Sequence, residues 1–365
     1  MRIAVLANLK KNAPSLPTMS PDQRDDLDSE ATINHILNAL EAGGHSAAFF
    51  EANINPPHDL IEALRGYGPD LCFNIAEGHT GDGREAQIPA MLEMLRLPYT
   101  GSRVLTLALT LDKPMTKRVL MYHGLPSAEF QVFDHPDDPL DDDLLDADGS
   151  LRFPMFVKPS REGTGMGVAA SSIVHTIEDL RERVAAQIAA YEQPILAERY
   201  IRGRELTVGV VGNLGPTAAR RTAAFTAPAV LPDELTFFPP LEIKLDAYPE
   251  SEAGLYTNRM KEEWVDDWHY LCQAPVDADL LDRLNRLTAA VFRVTGWLDV
   301  ARVDFRLDAD RDNEPVILEV NPLPGLNPVY SDLCVEARAA GWSYEQLITT
   351  IVELAAERWA LRVKL

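Results

Sequence analysis

Short apolar runs alternate with amphipathic segments through the first hundred residues. The pattern predicts strands at 3–7, 47–51 and 71–75, and helices at 29–42, 60–65 and 87–95. Alternating strands and helices are typical of a parallel sheet covered by helices on both faces. We therefore expect a small doubly wound α/β layer, which places ligands at the carboxyl ends of its strands, near Asn8, Glu77 and Tyr99.

The pattern changes after residue 112. Further strands are predicted at 154–158, 168–172, 195–200 and 205–211, and further helices at 113–123, 177–190, 279–295 and 344–360. Residues 213–262 are mixed and rich in proline, which predicts long loops. The acidic stretch 134–149 does not match the spacing of a calcium loop and is expected to be a solvated surface insertion.

Polar and apolar residues alternate in two late segments, one holding Arg302 and Asp304 and the next holding Glu319 and Asn321. Side chains two apart on a strand share a face, and the polar linker 308–315 suits an antiparallel pairing. That pairing gathers two carboxylates and an amide oxygen, which are hard ligands suited to Mg²⁺ that also holds phosphate oxygens. The alternative is a polar strand face exposed to water.

A glycine-rich loop joins the strands predicted at 154–158 and 168–172. Gly163, Gly165 and Gly167 let the backbone approach a ligand, and its N–H groups can cradle phosphate oxygens. Lys158 and Lys113 would add cations. The loop is no Walker A motif, because no Gly-Lys-Ser/Thr opens a helix. A hairpin loop and surface lysines are the alternatives.

The apolar strand predicted at 195–200 ends in polar residues. Backbone groups at such a strand end could bond an adenine edge, and Glu198 or Glu205 could accept hydrogen bonds from the adenine amino group or the ribose hydroxyls. An ordinary sheet strand is the alternative.

Composition and net charge limit the kinds of molecule that the chain is expected to bind. The 365 residues carry a net charge of −22, which argues against a nucleic-acid-binding surface and against an anionic membrane. No apolar run approaches the length of a membrane span, and no signal sequence opens the chain. Three widely spaced cysteines without a CxxC pair indicate a reducing compartment, so we expect a cytoplasmic protein.

Together these motifs resemble the D-alanine–D-alanine ligase family of the ATP-grasp superfamily, over nearly the whole chain. The motifs are Leu97-Pro-Tyr-Thr-Gly101, Leu111-Asp-Lys113, Val157-Lys-Pro-Ser-Arg-Glu-Gly163, Glu198 with Glu205, Arg302-Val-Asp304, and Glu319-Val-Asn-Pro-Leu-Pro-Gly325. The resemblance implies an N-terminal α/β domain at 1–112, followed by a two-lobed α+β ATP-grasp domain. Its central lobe would span 113–204, and its C-terminal lobe, with the metal and substrate site, 205–365.

The resemblance also implies a role for each matched residue. ATP would be held by Lys113, Lys158, Gly163, Glu198, Arg199, Ile201, Glu205 and Lys261. Two Mg²⁺ ions, which Mn²⁺ could replace, would be held by Asp304, Glu319 and Asn321. The catalytic positions are Arg302, the Gly325 N–H and Thr164, and the substrate positions are Glu77, Glu262 and Ser331.

The amino-acid end of the site departs from the family pattern. The family opens with Gly-Gly-x-Ser-x-Glu, whose glutamate anchors the first substrate's ammonium. Here the loop reads Asn-Leu-Lys-Lys-Asn-Ala-Pro from Asn8, so Asp25, Asp26 or Glu30 would have to substitute. Further changes lie around Glu77, at Thr164 in place of a serine, and at Glu262 in place of a tyrosine.

The activity implied is ATP-dependent joining of two amino acids through an acyl phosphate. D-alanine with D-alanine, for peptidoglycan precursors, is the default pair. One alternative is a ligase for other amino acids outside cell-wall synthesis, and another is a nucleotide-binding protein without ligase activity. The expected partners are ATP, amino acids and a second copy of the chain in a homodimer.

Overall fold

The computed structural model describes residues 1–14, 20, 22, 24–52, 57–145, 151–215, 231–245, 255 and 270–361. The first sheet is parallel, with β1 (Arg2–Ala7) between β2 (Ser46–Glu51) and β3 (Leu71–Asn74). It is flanked by α1 (Glu30–Ala42), α2 (Pro57–Tyr67) and α3 (Gln87–Leu95). Ser29 caps α1 by accepting a hydrogen bond from the Thr32 N–H at 3.2 Å.

Alternation along β1 explains the two covered faces. Ile3 and Val5 pack into a core with α1 and with the last helix of the chain, while Ala4 and Leu6 pack against α2 and α3 on the other side. The expected doubly wound layer is therefore confirmed.

A second, antiparallel sheet follows α4 (Val104–Leu111) and α5 (Lys113–Tyr122). It has the order β4–β7–β5–β6, formed by β4 (Phe130–Phe133), β5 (Met155–Pro159), β6 (Ile173–Val174) and β7 (Ile195–Arg199). Helix α6 (Ile177–Tyr191) covers it through Leu180 and Val184. The strand predicted at 168–172 is wrong, because residues 170–172 form a 3-10 turn and only the next two residues pair with β5.

A third sheet carries most of the later strands. Its strands are β8 (Glu205–Gly212), β9 (Leu235–Phe237), β10 (Leu241–Ile243), β11 (Tyr270–Cys272), β12 (Asp299–Asp308) and β13 (Glu314–Asn321). Their order in the sheet is β11–β10–β8–β12–β13, and β9 also pairs with β8. Strands β9 and β10 lie where long loops were predicted. Three helices complete this part: α7 (Ala278–Thr295), α8 (Asp332–Ala339) and α9 (Tyr344–Arg358).

The last helix joins the first sheet to the third. Arg358 at the end of α9 donates to Asp299 Oδ2 and to the Tyr99 carbonyl, each at 2.8 Å. Asp299 also accepts from the Gly101 N–H at 2.8 Å and is fully buried. A buried charge paired and hydrogen-bonded in this way fixes the first sheet against the strand that carries Arg302 and Asp304. Within the described residues, no helix is both long and apolar enough to cross a bilayer.

Candidate active site

Strands β12 and β13 pair as their alternation predicts. Asp304 lies directly across from Glu319, and Arg302 lies across from Asn321. The Asn321 Nδ2 atom donates to Asp304 Oδ2 at 2.8 Å, and the Arg302 guanidinium binds both oxygens of Asp304 at 2.8 and 2.9 Å. Hydrogen bonds therefore connect Arg302, Asp304 and Asn321, and Glu319 lies across from Asp304 in the neighbouring strand.

Two carboxylates and an amide suit this cluster to a hard divalent cation, because Mg²⁺ prefers oxygen donors. No group of three or more Asp, Glu, His or Cys side chains suited to a metal occurs among the described residues. The third oxygen donor here is thus the amide of Asn321. Asp304 and Glu319 also border a cavity, so a cation bound between them could reach a ligand there.

Two lysines reach this cluster from the second sheet and its helices. Lys113, at the start of α5, lies 2.9 Å from Glu319 Oε1 and also donates to the Glu162 carbonyl. Burial alone would raise the pKa of Glu319, but Lys113 and Lys158 hold it below its ordinary value. Glu319 is therefore ionised at neutral pH, as a metal ligand must be.

Lys158, on β5, pairs with Glu198 Oε1 at 2.7 Å, and Lys117 pairs with Glu198 Oε2 at 2.7 Å. Burial would raise the pKa of Glu198, but the two ammonium groups lower it to about 2. Lys117 was not predicted. Its position four residues after Lys113, on the same face of α5, was the available signal.

The glycine-rich loop forms one wall of a cavity between the second and third sheets, which we call the glycine-loop cavity. Its lining includes Lys113, Lys158, Gly165, Met166, Glu205 and Leu318. Thr164 has a φ of 51° and Gly167 a φ of 72°, and a side chain at Gly167 would meet the Pro159 ring at 2.7 Å. The Gly167 N–H donates to Asp22 Oδ2 at 2.8 Å, which ties the loop to the N-terminal region.

Four residues predicted near adenine and ribose have other partners in the structure. Glu198 is held by the two lysines, and the Arg199 guanidinium binds Glu129 and Asp308 at 3.0 and 2.6 Å. Ile201 is buried, and its carbonyl accepts from Arg306 at 3.4 Å. Glu205 borders the glycine-loop cavity and pairs with Arg306, a second residue that was not predicted.

A second cavity, which we call the acidic cavity, adjoins the first. Lys113, Glu162 and Glu319 line both cavities, so the two meet at the ion pair between Lys113 and Glu319. The acidic cavity takes its name from six carboxylates on one side: Asp25, Asp26, Asp28, Glu77, Glu85 and Glu162. Glu30, by contrast, is exposed and pairs with Lys11 at 2.5 Å.

The residues predicted for catalysis line the same acidic cavity. Arg302, Gly325, Ser331 and Thr164 all line it. A Cβ atom at Gly325 would lie 2.9 Å from Ser331 Oγ, so the site needs glycine there for this close approach. Preorganised donors such as the Arg302 guanidinium and a backbone N–H can stabilise a developing oxyanion. Lys261 and Glu262 lie outside the described residues.

Comparisons of the sequence agree with this geometry. Residues 119–353 match the family model described as D-ala D-ala ligase C-terminus. The D-alanine–D-alanine ligase of Methylibium petroleiphilum is 32% identical over 322 residues, which cover 88% of this chain and 89% of that protein. The chain belongs to the D-alanine–D-alanine ligase family. As a member of this family it is an ATP-dependent ligase, and ligases of this kind use ATP and a divalent metal.

Other relatives show how far this family member has diverged. A Sinorhizobium fredii protein described as uncharacterized protein y4sG is 32% identical over 332 residues, which cover 89% of this chain and 87% of that protein. The crystal structure of D-alanine–D-alanine ligase from Bacillus anthracis complexed with ATP superposes with a TM-score of 0.70 over 98% of both chains, at 22% identity. The ATP-grasp architecture is therefore shared along the whole chain of this D-alanine–D-alanine ligase family member.

Proposed function

We propose that the chain joins two amino acids through an acyl phosphate, with ATP in the glycine-loop cavity and the amino acids in the acidic cavity. The observation that carries this proposal is the ion pair between Lys113 and Glu319, which borders both cavities. A phosphoryl group must pass from one substrate to the other at such a junction. Membership of the D-alanine–D-alanine ligase family supports the same chemistry.

In the first step a substrate carboxylate attacks the γ-phosphate of ATP, which forms the acyl phosphate and releases ADP. Lys113 and Lys158 would bind phosphate oxygens and offset their charge. Backbone N–H groups of the glycine-rich loop, from Gly163 onward, would cradle the same phosphates. Asp304, Glu319 and Asn321 would hold two Mg²⁺ ions, or Mn²⁺ in their place, which neutralise the phosphate oxygens when bound. Adenine and ribose would lie toward Glu198, Arg199, Ile201 and Glu205.

The second step is attack of the second amino acid's amine on the acyl carbon, with release of phosphate. Arg302 and the Gly325 N–H would stabilise the oxyanion that forms. Ser331 lies at the N-terminus of α8, where the helix dipole favours an anion, and would bind the carboxylate of the second amino acid. Thr164, in the glycine-rich loop above the cavity, would help to exclude water from the acyl phosphate.

D-alanine with D-alanine is the first pair to test, because several relatives, among them that of Methylibium petroleiphilum, are D-alanine–D-alanine ligases. Ligation of D-alanine would place the chain in peptidoglycan precursor synthesis. The second candidate is ligation of other amino acids outside cell-wall synthesis. It is favoured by the carboxylates Asp28, Glu77 and Glu85 in the acidic cavity, because alanine carries only one ammonium group to pair with them.

The test is phosphate release from Mg·ATP with single amino acids and with pairs, in D and L forms, with the product identified by mass. Turnover with D-alanine that yields the dipeptide would support the first candidate. Turnover with other amino acids alone would keep the ligase mechanism and support the second. ATP binding without amino-acid-dependent phosphate release would contradict the proposed function.

A further inference from the structure

The side of the acidic cavity formed by the first sheet carries more negative charge than the structure neutralises. Its carboxylates follow two strands of a parallel sheet: Asp26 and Asp28 lie in the connection after β1, and Glu77 and Glu85 follow β3. Carboxyl ends of neighbouring parallel strands meet at one edge of a sheet, which explains why these distant segments converge. Glu162 joins them from the glycine-rich loop.

A single guanidinium, that of Arg84, forms ion pairs with three of these carboxylates. Arg84 is buried, lies 2.8 Å from Asp26 Oδ2, and is 3.7 Å from both Glu77 and Glu162. Asp28 and Glu85 make no hydrogen bond or ion pair through their side chains within the part of the chain that the structure describes. Lys10 pairs with Asp25 at 2.9 Å, and the charge of Lys113 opposes the effect of burial, which raises the pKa of Glu85. With Arg84, these described residues provide three cations for the six carboxylates of the cavity.

The pKa values of three of these carboxyl groups are raised. Burial, and then the charge of Asp26, raise the pKa of Asp28 to about 7. Burial raises the pKa of Glu85 to about 7 against the opposing effect of Arg84, and burial with the charge of Glu85 raises the pKa of Glu77. Ionised carboxylates are thus costly in the free protein, and a bound cation would stabilise them.

The proposed function places the amino acids in this cavity for reasons that do not depend on these acids. Arg302, Gly325 and Ser331 also line the cavity, and the ion pair between Lys113 and Glu319 would mark its reacting end. A carboxylate held at the reacting end leaves the rest of the amino acid to face the acids. The α-ammonium of a neutral amino acid supplies one positive charge there, which leaves at least one of Asp28 and Glu85 without a partner.

We propose that the acidic cavity selects, as the first substrate, an amino acid with a second cationic group, such as 2,3-diaminopropionate, ornithine or lysine. The inference rests on the proposed ligase function and names its substrate class. Asp26 and Asp28 would hold one ammonium, and Glu77 and Glu85 the other. A neutral first substrate would leave one of these pairs without a cation, and it would therefore lack the binding free energy that a second charge pair can add.

Calorimetry on the full chain, saturated with Mg²⁺ and a non-hydrolysable ATP analogue, tests the charge preference directly. Alanine, serine, 2,3-diaminopropionate, ornithine and lysine would each be titrated in D and L forms. We expect the best diamino acid to bind at least about 10-fold more tightly than the best neutral amino acid, a difference typical of one buried charge pair. Equal or tighter binding of alanine would overturn the inference.

Two matched variants distinguish the effect of a carboxylate in the cavity from the effect of the overall charge of the protein. Glu85→Gln removes one cavity carboxylate at nearly constant shape, and Glu62→Gln removes one exposed carboxylate from α2 in the same sheet layer. Glu85→Gln should reduce the ratio of diamino-acid to alanine affinity about 10-fold or more, while Glu62→Gln should leave the ratio unchanged. Equal loss of both affinities in Glu85→Gln would show a merely structural role and would overturn the assignment.

Phosphate release with the same compounds distinguishes the proposed preference for diamino acids from the proposed ligase function. Turnover with alanine and no preference for diamino acids would overturn this inference and leave the ligase function intact. Failure of every compound to stimulate phosphate release would contradict the ligase function, while the binding measurements would still decide the charge preference.

Discussion

Lys113 Nζ lies 2.9 Å from Glu319 Oε1, and this ion pair connects the first residue of α5 to the end of β13. The two residues are about 200 positions apart in the sequence, yet both line the glycine-loop cavity and the acidic cavity. Under the proposed function, a phosphate group from one cavity would meet a carboxylate from the other at this contact.

Lys113→Gln should slow turnover without blocking folding. The variant removes a cation from the proposed phosphate site and leaves Lys158 to stabilise the charge of Glu319. Loss of one charged transition-state contact typically costs about 10²-fold in kcat/KM. The exposed Lys11, which pairs with Glu30, provides the control in Lys11→Gln. Steady-state kinetics with varied ATP would check it, and equal rates for the two variants would argue against a phosphate role for Lys113.

Arg302→Lys should uncouple ATP use from peptide-bond formation. Lysine keeps the positive charge that Asp304 and Asp332 need but cannot present the planar fork that Arg302 places on both oxygens of Asp304. Dipeptide formation should fall about 10²–10³-fold while ATP binding is kept. Mass detection of dipeptide, with calorimetry of the ATP analogue, would check this. Arg283→Ala, at an exposed pair with Glu314, is the control. Normal ligation by Arg302→Lys would show that the oxyanion assignment is wrong.

Lys117→Met should destabilise the protein and raise the KM for ATP. Glu198 is almost fully buried, and the variant leaves it with Lys158 as its remaining partner. The Lys117 ammonium is the donor to the buried Glu198 Oε2 atom, and leaving that oxygen without its donor should lower the free energy of unfolding by about 1–3 kcal/mol. The double variant Lys117→Met with Glu198→Gln should lose more stability than the single variant, because Lys158 then loses the carboxylate it pairs with.

Urea unfolding of these variants would measure the coupling between Lys117 and Glu198. Arg118→Met, at the exposed neighbouring position on α5, controls for the loss of a positive charge. If the single variant is as stable as Arg118→Met, the buried ion pair contributes nothing to folding.

The sequence predicts the β12–β13 cluster well because a strand has a period of two, so one register fixes the faces of Arg302, Asp304, Glu319 and Asn321 together. The polar network around Arg84 could not be predicted in this way. Its partners Asp26 and Glu162 lie 58 residues before it and 78 residues after it, and no local spacing links them.

Local sequence patterns also gave wrong predictions for one helix and one strand. Helix α4 was missed because Val104–Leu111 is apolar on nearly every side and shows no helical period. The strand predicted at 168–172 follows Gly165 and Gly167, whose positive φ angles turn the backbone before it can pair. The conformation of these glycines determines the path of the backbone there, and the strand preference of the β-branched Val168 does not.

The pH dependence of stability gives a test of the acidic cavity that needs no substrate. The pKa of Asp28 is raised from 3.8 to about 7 by burial and by Asp26. Glu77 and Tyr344 also face it, and each has a raised pKa to which the Asp28 charge contributes. A carboxyl with a raised folded-state pKa binds its proton more tightly folded than unfolded, so it costs no stability below about pH 4.

That cost grows as pH rises from about 4 to about 7 and is complete above 7, where a shift of three units corresponds to at most about 4 kcal/mol. Asp28→Asn abolishes the ionisation at nearly constant shape. The variant should therefore unfold at a higher temperature than the parent at pH 8 and at about the same temperature at pH 4.5. Thermal unfolding at the two pH values, with Asp59→Asn on α2 as the control for loss of a charge, would check this. A stability difference that does not change with pH would mean that Asp28 stays ionised throughout and is compensated by a cation, which would also remove a reason for a cationic substrate.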